Sequence, residues 1–307
     1  MIAIAAWFGG LWRVCRAPWL PVVVHLFLLV VTLPLAAKLH LDLPAPAQTV
    51  IEPGAGPIPD FDWLDEVTAN KRSLLGELAP TVIGVAAPIR NIDDLLDGRT
   101  PRFALLLTGV LLVAWAWLWG GVISHAAAVR RTFWKACNDS FSAVLALNIG
   151  GLVLALLAYA VVHGTLFRLA WPLVSGGPEN MTLVWRVVFT LIVVGAVTVV
   201  SVVFDYARIV LVLRKVPIPE AVSQGARFVR SNAFSVAVLV VATLALFAVL
   251  LLGYAAFEFI PGGSVPTVSR IVLLGQAYIF ARVALRLCNA SAQVVLFERV
   301  RVREARD

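Results

Sequence analysis

Residues 187–215 read VVFTLIVVGAVTVVSVVFDYARIVLVLRK, an almost uninterrupted apolar run that ends beside an acid and a base, Asp205 and Arg208. The hydrocarbon core of a bilayer is about 30 Å thick and is crossed by a helix of about 20 mainly apolar residues. This stretch therefore predicts a membrane-spanning helix. Asp205 and Arg208 need a separate explanation, because a charged side chain that faces lipid costs at least a few kcal/mol.

The whole chain shares the apolar character of this stretch. Of its 307 residues, 61% are hydrophobic and only 14% are charged. Soluble proteins average about 45–50% apolar and about 25% charged residues. The composition therefore excludes an ordinary soluble domain and predicts an all-α, polytopic membrane bundle.

Six apolar stretches are long enough to span a bilayer. They lie at residues 18–37, 103–122, 141–162, 184–204, 234–257 and 269–297. We predict six transmembrane helices in a single transmembrane domain of residues 1–307. The one long polar segment, residues 39–102, is predicted to be an extracytoplasmic loop inserted between helices 1 and 2.

Positive charge is concentrated in segments 1–17, 123–140, 205–233 and 298–307, which hold most of the Lys and Arg residues. Because short segments rich in Lys and Arg stay on the cytoplasmic side, this pattern predicts a multi-pass membrane protein with both termini in the cytoplasm. The net charge of +7 then indicates contact with anionic phospholipid at the cytoplasmic face. The scattered basic residues form no known nucleic-acid motif, so we expect no nucleic-acid partner.

The N-terminus has a second interpretation. Arg13 and Arg16, followed by an apolar stretch and by LPLAAK at 33–38, resemble a secretory signal with a small-residue cleavage site. The apolar stretch is long for the core of a signal peptide, so we expect a retained first helix.

Similar sequences precede the first, third and fifth predicted spans: LWRVCRAPWLPVVV (11–24), FWKACNDSFSAVLA (133–146) and ARFVRSNAFSVAVL (226–239). One interpretation is a set of three repeated helical hairpins around an axis along the membrane normal. The other is six helices that share only the ordinary pattern of membrane entry. We expect the residues that precede the first, third and fifth spans, such as 1–19 and 217–233, to form short amphipathic helices in the interface plane. The alternative is that they extend the transmembrane helices.

Polar residues mark one face of the fourth and sixth predicted spans. Asp205 and Arg208 are three residues apart and therefore share a helix face. Asp205 lies about 28 Å along its helix from Arg186, at 1.5 Å per residue, which places it near the cytoplasmic edge of the hydrocarbon. A longer polar stripe follows the sixth span, at Arg282, Arg286, Asn289 and Gln293.

The depths of these residues favour pairing inside the bundle. We predict an ion pair between Asp205 and Arg286, with Arg282 as the next candidate partner of the carboxylate. Asn289 and Gln293 would satisfy the remaining hydrogen-bonding groups. Such a pair fixes which helix faces lie together, whatever its net effect on stability.

A second interpretation makes the same arginines a binding site. If Arg282 and Arg286 stay partly unpaired, two guanidinium groups in a cleft could hold a phosphate or a lipid head group through paired hydrogen bonds. Intramembrane ionisable residues are functional candidates in general. The sequence leaves both interpretations open.

No pattern in the sequence predicts a metal site or a cofactor. The four histidines fall at different depths, and the chain contains no Walker-type phosphate loop, HExxH, GxSxG or CxxC pair. The three cysteines are an odd number on the side expected to be reducing, which argues against a disulfide framework. We therefore expect a protein without enzymatic activity.

Three motifs suggest a family: Gly120-Gly121 at the end of the second span, Asp205-Tyr206-Ala207-Arg208 after the fourth, and Gln276 with Arg282 in the sixth. With these residues the chain resembles a broad group of bacterial six-helix inner-membrane proteins. More loosely, it is similar to the membrane domain fused to some glycerophosphodiester phosphodiesterases. The resemblance covers most of the helical part and little of 39–102. It implies the six-helix fold and carries over no phosphodiester cleavage.

Two functions follow as hypotheses. The first is a non-enzymatic integral inner-membrane scaffold or accessory subunit, which contacts the lipid bilayer and a membrane-protein partner. The alternative is a transporter or lipid-handling protein that binds an anionic head group at the arginine stripe.

Overall fold

The computed structural model describes residues 2–42, 102–129, 131–174, 176–177, 179–258 and 268–304. Residues 43–101, which make up nearly all of the predicted loop 39–102, lie outside this set. The first residues assigned to that loop belong to a helix, because helix α2 continues to Asp42.

The described residues are helical and contain no strand, which confirms the predicted all-α class. The helices are α1 (Ile2–Cys15), α2 (Trp19–Asp42), α3 (Arg102–Ala126), α4 (Phe133–His163), α5 (Trp171–Val174), α6 (Glu179–Arg214), α7 (Ile218–Ser231), α8 (Ala233–Glu258) and α9 (Val268–Glu304). A π-helical segment, Gly164–Ala170, joins α4 to α5.

Several of these helices are suited to a membrane. Five stretches are long and apolar enough to cross one: 108–126, 133–174, 184–214, 233–254 and 273–303. The helices α1 and α2 pass the same test only as a pair that is bent by 76°. The described part of the chain therefore has five helices that could span a membrane, or six if this bent pair counts as one span.

The helices run beyond the predicted spans, and α6 illustrates why. Its predicted span ended at 204, whereas the helix continues to Arg214. The residues after Asp205 contain neither glycine nor proline until Pro217, so nothing in the chain breaks the backbone hydrogen bonds earlier. Lys215 then adopts a left-handed conformation with φ 54°, and its N–H donates to the carbonyl of Leu211, which ends the helix.

The chain divides into two compact units. The first comprises residues 1–18, 115–245 and 285–307, and the second comprises 19–114 and 246–284. The fully buried large side chains of the first unit include Tyr159, Tyr206, Leu118, Ile123, Leu287 and Leu296. Within the second unit, the His25 and Phe280 rings meet edge to face with centroids 5.5 Å apart.

Two of the three stretches expected to form short separate helices do so. The first is α1, before α2, and the other is α7, which Asn232 separates from α8. The middle stretch is different, because helix α4 starts at Phe133 and runs on without a break. There the alternative interpretation, an extension of the long helix, is the correct one. The threefold hairpin repeat stays a prediction.

Two short helices of the first unit, α1 and α7, lie against a long helix at a glycine. In α7, a Cβ atom on Gly225 would be 2.7 Å from the backbone nitrogen of Ala207 in α6. In α1, a Cβ atom on Gly10 would collide with the backbone of Ala292 in α9. Real Cβ atoms do not come so close to backbone atoms, so only glycine allows the helices to approach in this way.

Gly120 and Gly121 of α3 also lie at a helix contact, as their sequence suggested. A Cβ atom on Gly120 would lie 2.6 Å from the carbonyl oxygen of Ala136 in α4. These small residues therefore determine how α3 and α4 pack at their connected ends.

Candidate functional site

Asp205 contacts a residue of its own helix and a residue of α9. Its Oδ1 atom lies 2.5 Å from Nη1 of Arg208, one helical turn away. Its Oδ2 atom accepts a hydrogen bond of 3.2 Å from Nε2 of Gln293. The Gln293 residue is only 5% exposed, so this bond joins α6 to α9 inside the first unit.

Two tryptophans of α3 lie beside the arginines of this region. The guanidinium carbon of Arg286 is 4.1 Å from the centre of the Trp115 ring and 5.7 Å from that of Trp119. Arg208 lies over Trp119 as well, at 5.7 Å. Cations within about 6 Å of an aromatic face are attracted by the ring electrons. The two arginines therefore share an aromatic surface that α3 provides.

We call the six residues Asp205, Arg208, Gln293, Arg286, Trp115 and Trp119 the polar cluster. The name covers residues of α3, α6 and α9, all in the first unit. A carboxylate that accepts hydrogen bonds from a guanidinium and an amide has little freedom to move. The arrangement is suited to fixing the rotation of three helices.

Asn289 belongs to a neighbouring contact between α8 and α9. The Thr243 hydroxyl lies 2.9 Å from Oδ1 of Asn289 and 2.9 Å from the carbonyl oxygen of Leu239. Thr243 is buried. Asn289 therefore serves a second helix contact, one turn along α9 from Gln293.

The contact described for Arg282 is with a residue outside the polar cluster. Arg282 belongs to the second unit. Its guanidinium carbon is 5.6 Å from the centre of the Tyr278 ring, one turn earlier in α9. The Tyr278 ring in turn stacks on Tyr254 of α8 at 4.7 Å. The Arg282 side chain is exposed.

The structure thus brings together four of the six residues singled out in the sequence: Asp205, Arg208, Arg286 and Gln293. The partners of Asp205 that the described contacts identify are Arg208 and Gln293, whereas the sequence favoured Arg286. The direct Asp205–Arg286 pair stays a prediction. Among the described residues, no group of three or more His, Cys, Asp or Glu could hold a metal ion.

Sequence reasoning missed Trp115, Trp119 and Thr243 as partners of the polar residues. In the sequence, Trp115, Trp117 and Trp119 stand at every second position, which predicts packing residues that do not form one stripe along the helix. Trp117 does point elsewhere, and its Nε1 donates to Oδ1 of Asn138 at 2.7 Å. Trp115 and Trp119, however, are four residues apart and share a face. That spacing was the available signal.

Comparisons of the chain with family models, curated proteins and solved structures find no match. The resemblance to bacterial six-helix inner-membrane proteins therefore stays a prediction that rests on the motifs above.

Proposed function

We propose that this protein is a non-enzymatic scaffold or accessory subunit of the bacterial inner membrane, with six transmembrane helices and both termini in the cytoplasm. The observation that carries the proposal is the set of contacts around Asp205. Its two carboxylate oxygens contact Arg208 and Gln293, and Arg286 lies on Trp115. Contacts of this kind fix which helix faces lie together, which is a structural role.

The surface of the long helices supports a role in contacting other molecules. Only 17% of the apolar stretch of α8 and 22% of the apolar stretch of α6 is buried within the protein. The rest must be covered by lipid or by another protein. On α8, Val241 is 64% exposed and Leu239, two residues away, is 1% exposed. One face of α8 therefore packs in the first unit and the other is open to a partner.

Photo-cross-linking in native membranes tests the scaffold proposal. With a photoreactive amino acid in place of Val241, we expect one discrete adduct with another membrane protein. The matched control carries the same amino acid in place of Leu239, where the adducts should stay within the chain. Adducts of Val241 with lipid alone would contradict the scaffold proposal.

A specific observation favours the second candidate function, a lipid-handling protein. Arg282 is an exposed cation within a stretch that could span a membrane, and such a residue is a functional candidate. Lipid adducts at Val241, together with loss of a co-purified anionic lipid from Arg282→Ala, would support this function in place of a scaffold.

The orientation is proposed from the basic residues and has its own test. The test uses a C15S background, which removes the exposed cysteine. One variant adds Gly176→Cys, between α5 and α6, and a second adds Arg303→Cys, near the end of α9. A membrane-impermeant maleimide added to spheroplasts should label Cys at 176 and should label Cys at 303 only after the membrane is opened. Labelling of 303 in intact spheroplasts would place the C-terminus outside.

A further inference from the structure

A pocket lies where α6, α7 and α9 meet in the first unit, and no residue of the polar cluster lines it. Its volume is about 270 Å³, which is near the small end of the range for ligand sites, about 300–1,000 Å³. Three arginines line it, one from each helix: Arg214, Arg227 and Arg301. The pocket therefore combines a size suited to a small group with three positive charges.

The apolar part of the pocket is aromatic. Phe228 and Phe297 line it, and their ring centroids are 5.1 Å apart. Behind them, the fully buried ring of Tyr206 lies 4.6 Å from Phe228. Because these rings belong to α6, α7 and α9, they fix the position of the pocket wall relative to all three helices.

The three arginines differ in their contacts within the protein. Arg214 donates a hydrogen bond to Oε1 of Gln224, and the amide nitrogen of Gln224 donates to Glu220 at 2.9 Å. The guanidinium carbon of Arg214 also lies 5.6 Å from the centre of the Phe297 ring. Arg214 is thus held in place. Arg227 and Arg301 are exposed, and among the described residues neither forms an ion pair.

Among the described residues, no carboxylate lines the pocket. Glu298, next to Phe297 in α9, has its Oε2 atom 2.9 Å from Nη2 of Arg13. Glu220 accepts a hydrogen bond from Gln224. The described residues that line the pocket therefore carry three positive charges and no negative one.

We propose that this pocket binds a phosphate-bearing anion. Arginine is suited to this task because its planar guanidinium group donates paired hydrogen bonds to phosphate oxygens. The phosphate would contact Arg227 and Arg301, with Arg214 as a fixed third donor. The carbon atoms next to the phosphate would contact Phe228 and Phe297. The same chemistry is offered by the head group of an anionic phospholipid and by a soluble phosphate compound.

Titration of the full-length protein in neutral detergent tests the site. The probes are phosphatidylglycerol, phosphatidylcholine and inorganic phosphate. Native mass spectrometry measures binding of the lipids, and the shift in thermal unfolding temperature measures binding of phosphate. The pocket variant is R227Q/R301Q. The matched control is R230Q/R299Q, which removes two charges from the same two helices at exposed positions that do not line the pocket.

We expect the wild-type protein and the control variant to bind one anionic probe saturably, and the pocket variant to bind it about tenfold more weakly or worse. Saturation by phosphatidylglycerol alone identifies a lipid head group, and saturation by inorganic phosphate identifies a soluble anion. If R227Q/R301Q does not fold, R227K/R301K replaces it and should bind more weakly than wild type, because lysine keeps the charge but loses the paired donors. Equal loss in the pocket and control variants, or no saturable binding of an anionic probe, would overturn the proposal.

Discussion

Replacing Asp205 with alanine is expected to lower the free energy of unfolding by about 3 kcal/mol, because removal of one member of a largely buried pair leaves the other charge without a partner. In this variant Arg208, whose side chain is 17% exposed, loses its carboxylate, and the buried amide of Gln293 loses its acceptor. Unfolding by SDS in mixed micelles provides the measurement.

The chain offers a matched control for this variant. Asp139 is also paired with an arginine, Arg131, but at 3.6 Å and with both side chains more than a third exposed. Exposed pairs contribute about 0–1 kcal/mol, so Asp139→Ala should change stability little. Equal effects of Asp205→Ala and Asp139→Ala would mean that the polar cluster does not hold the helices together.

The second large effect is expected at Gly225. Even the single methyl group of Gly225→Ala would bring Cβ to 2.7 Å from the Ala207 nitrogen and 3.0 Å from the Val203 carbonyl oxygen. Helices α6 and α7 would have to move apart, and such overpacking costs about 1–3 kcal/mol. The loss should appear as a lower unfolding temperature in detergent.

Gly195→Ala is the control for this substitution. Gly195 lies within α6, and a Cβ atom there would meet no atom within 4 Å. Alanine stabilises a helix by about 0.5–1 kcal/mol relative to glycine, so this variant should be as stable as wild type or more stable. If Gly225→Ala were also as stable as wild type, that result would contradict the close approach of α7 to α6.

The sequence predicted the helices well because long apolar runs leave few alternatives. In a membrane, every backbone N–H and C=O group must be satisfied within its own segment, so such runs fold as helices. The short helix α7 was also predictable, because Pro217 and Pro219 mark its start and its basic and apolar residues separate on two faces.

The partners of the polar residues were harder to predict from the sequence. The spacing of Asp205 and Arg208 predicted a shared helix face, and they contact each other. Nothing in the sequence indicates the rotation of α9 against α6, which decides whether Arg286 or Gln293 faces the carboxylate. That rotation depends on how each helix packs on its neighbours, and Gly10 of α1 meets Ala292 of α9 from the opposite end of the chain.

The pocket at α6, α7 and α9 illustrates the same limit. Arg214, Arg227 and Arg301 come from three separate segments. In the sequence they belong to a general excess of positive charge, which indicated topology. Their convergence on Phe228 and Phe297 follows from the packing of α7 on α6 and could not be inferred from spacing within any one helix.

A double-mutant cycle between Asp205→Ala and Gln293→Ala tests the central claim most directly, since the hydrogen bond between these residues joins α6 to α9 within the polar cluster. Residues in direct contact show interaction energies of about 0.5–3 kcal/mol, whereas the effects of distant residues add. We predict an interaction energy of about 1 kcal/mol or more in SDS unfolding. Strictly additive effects of the two substitutions would contradict the account.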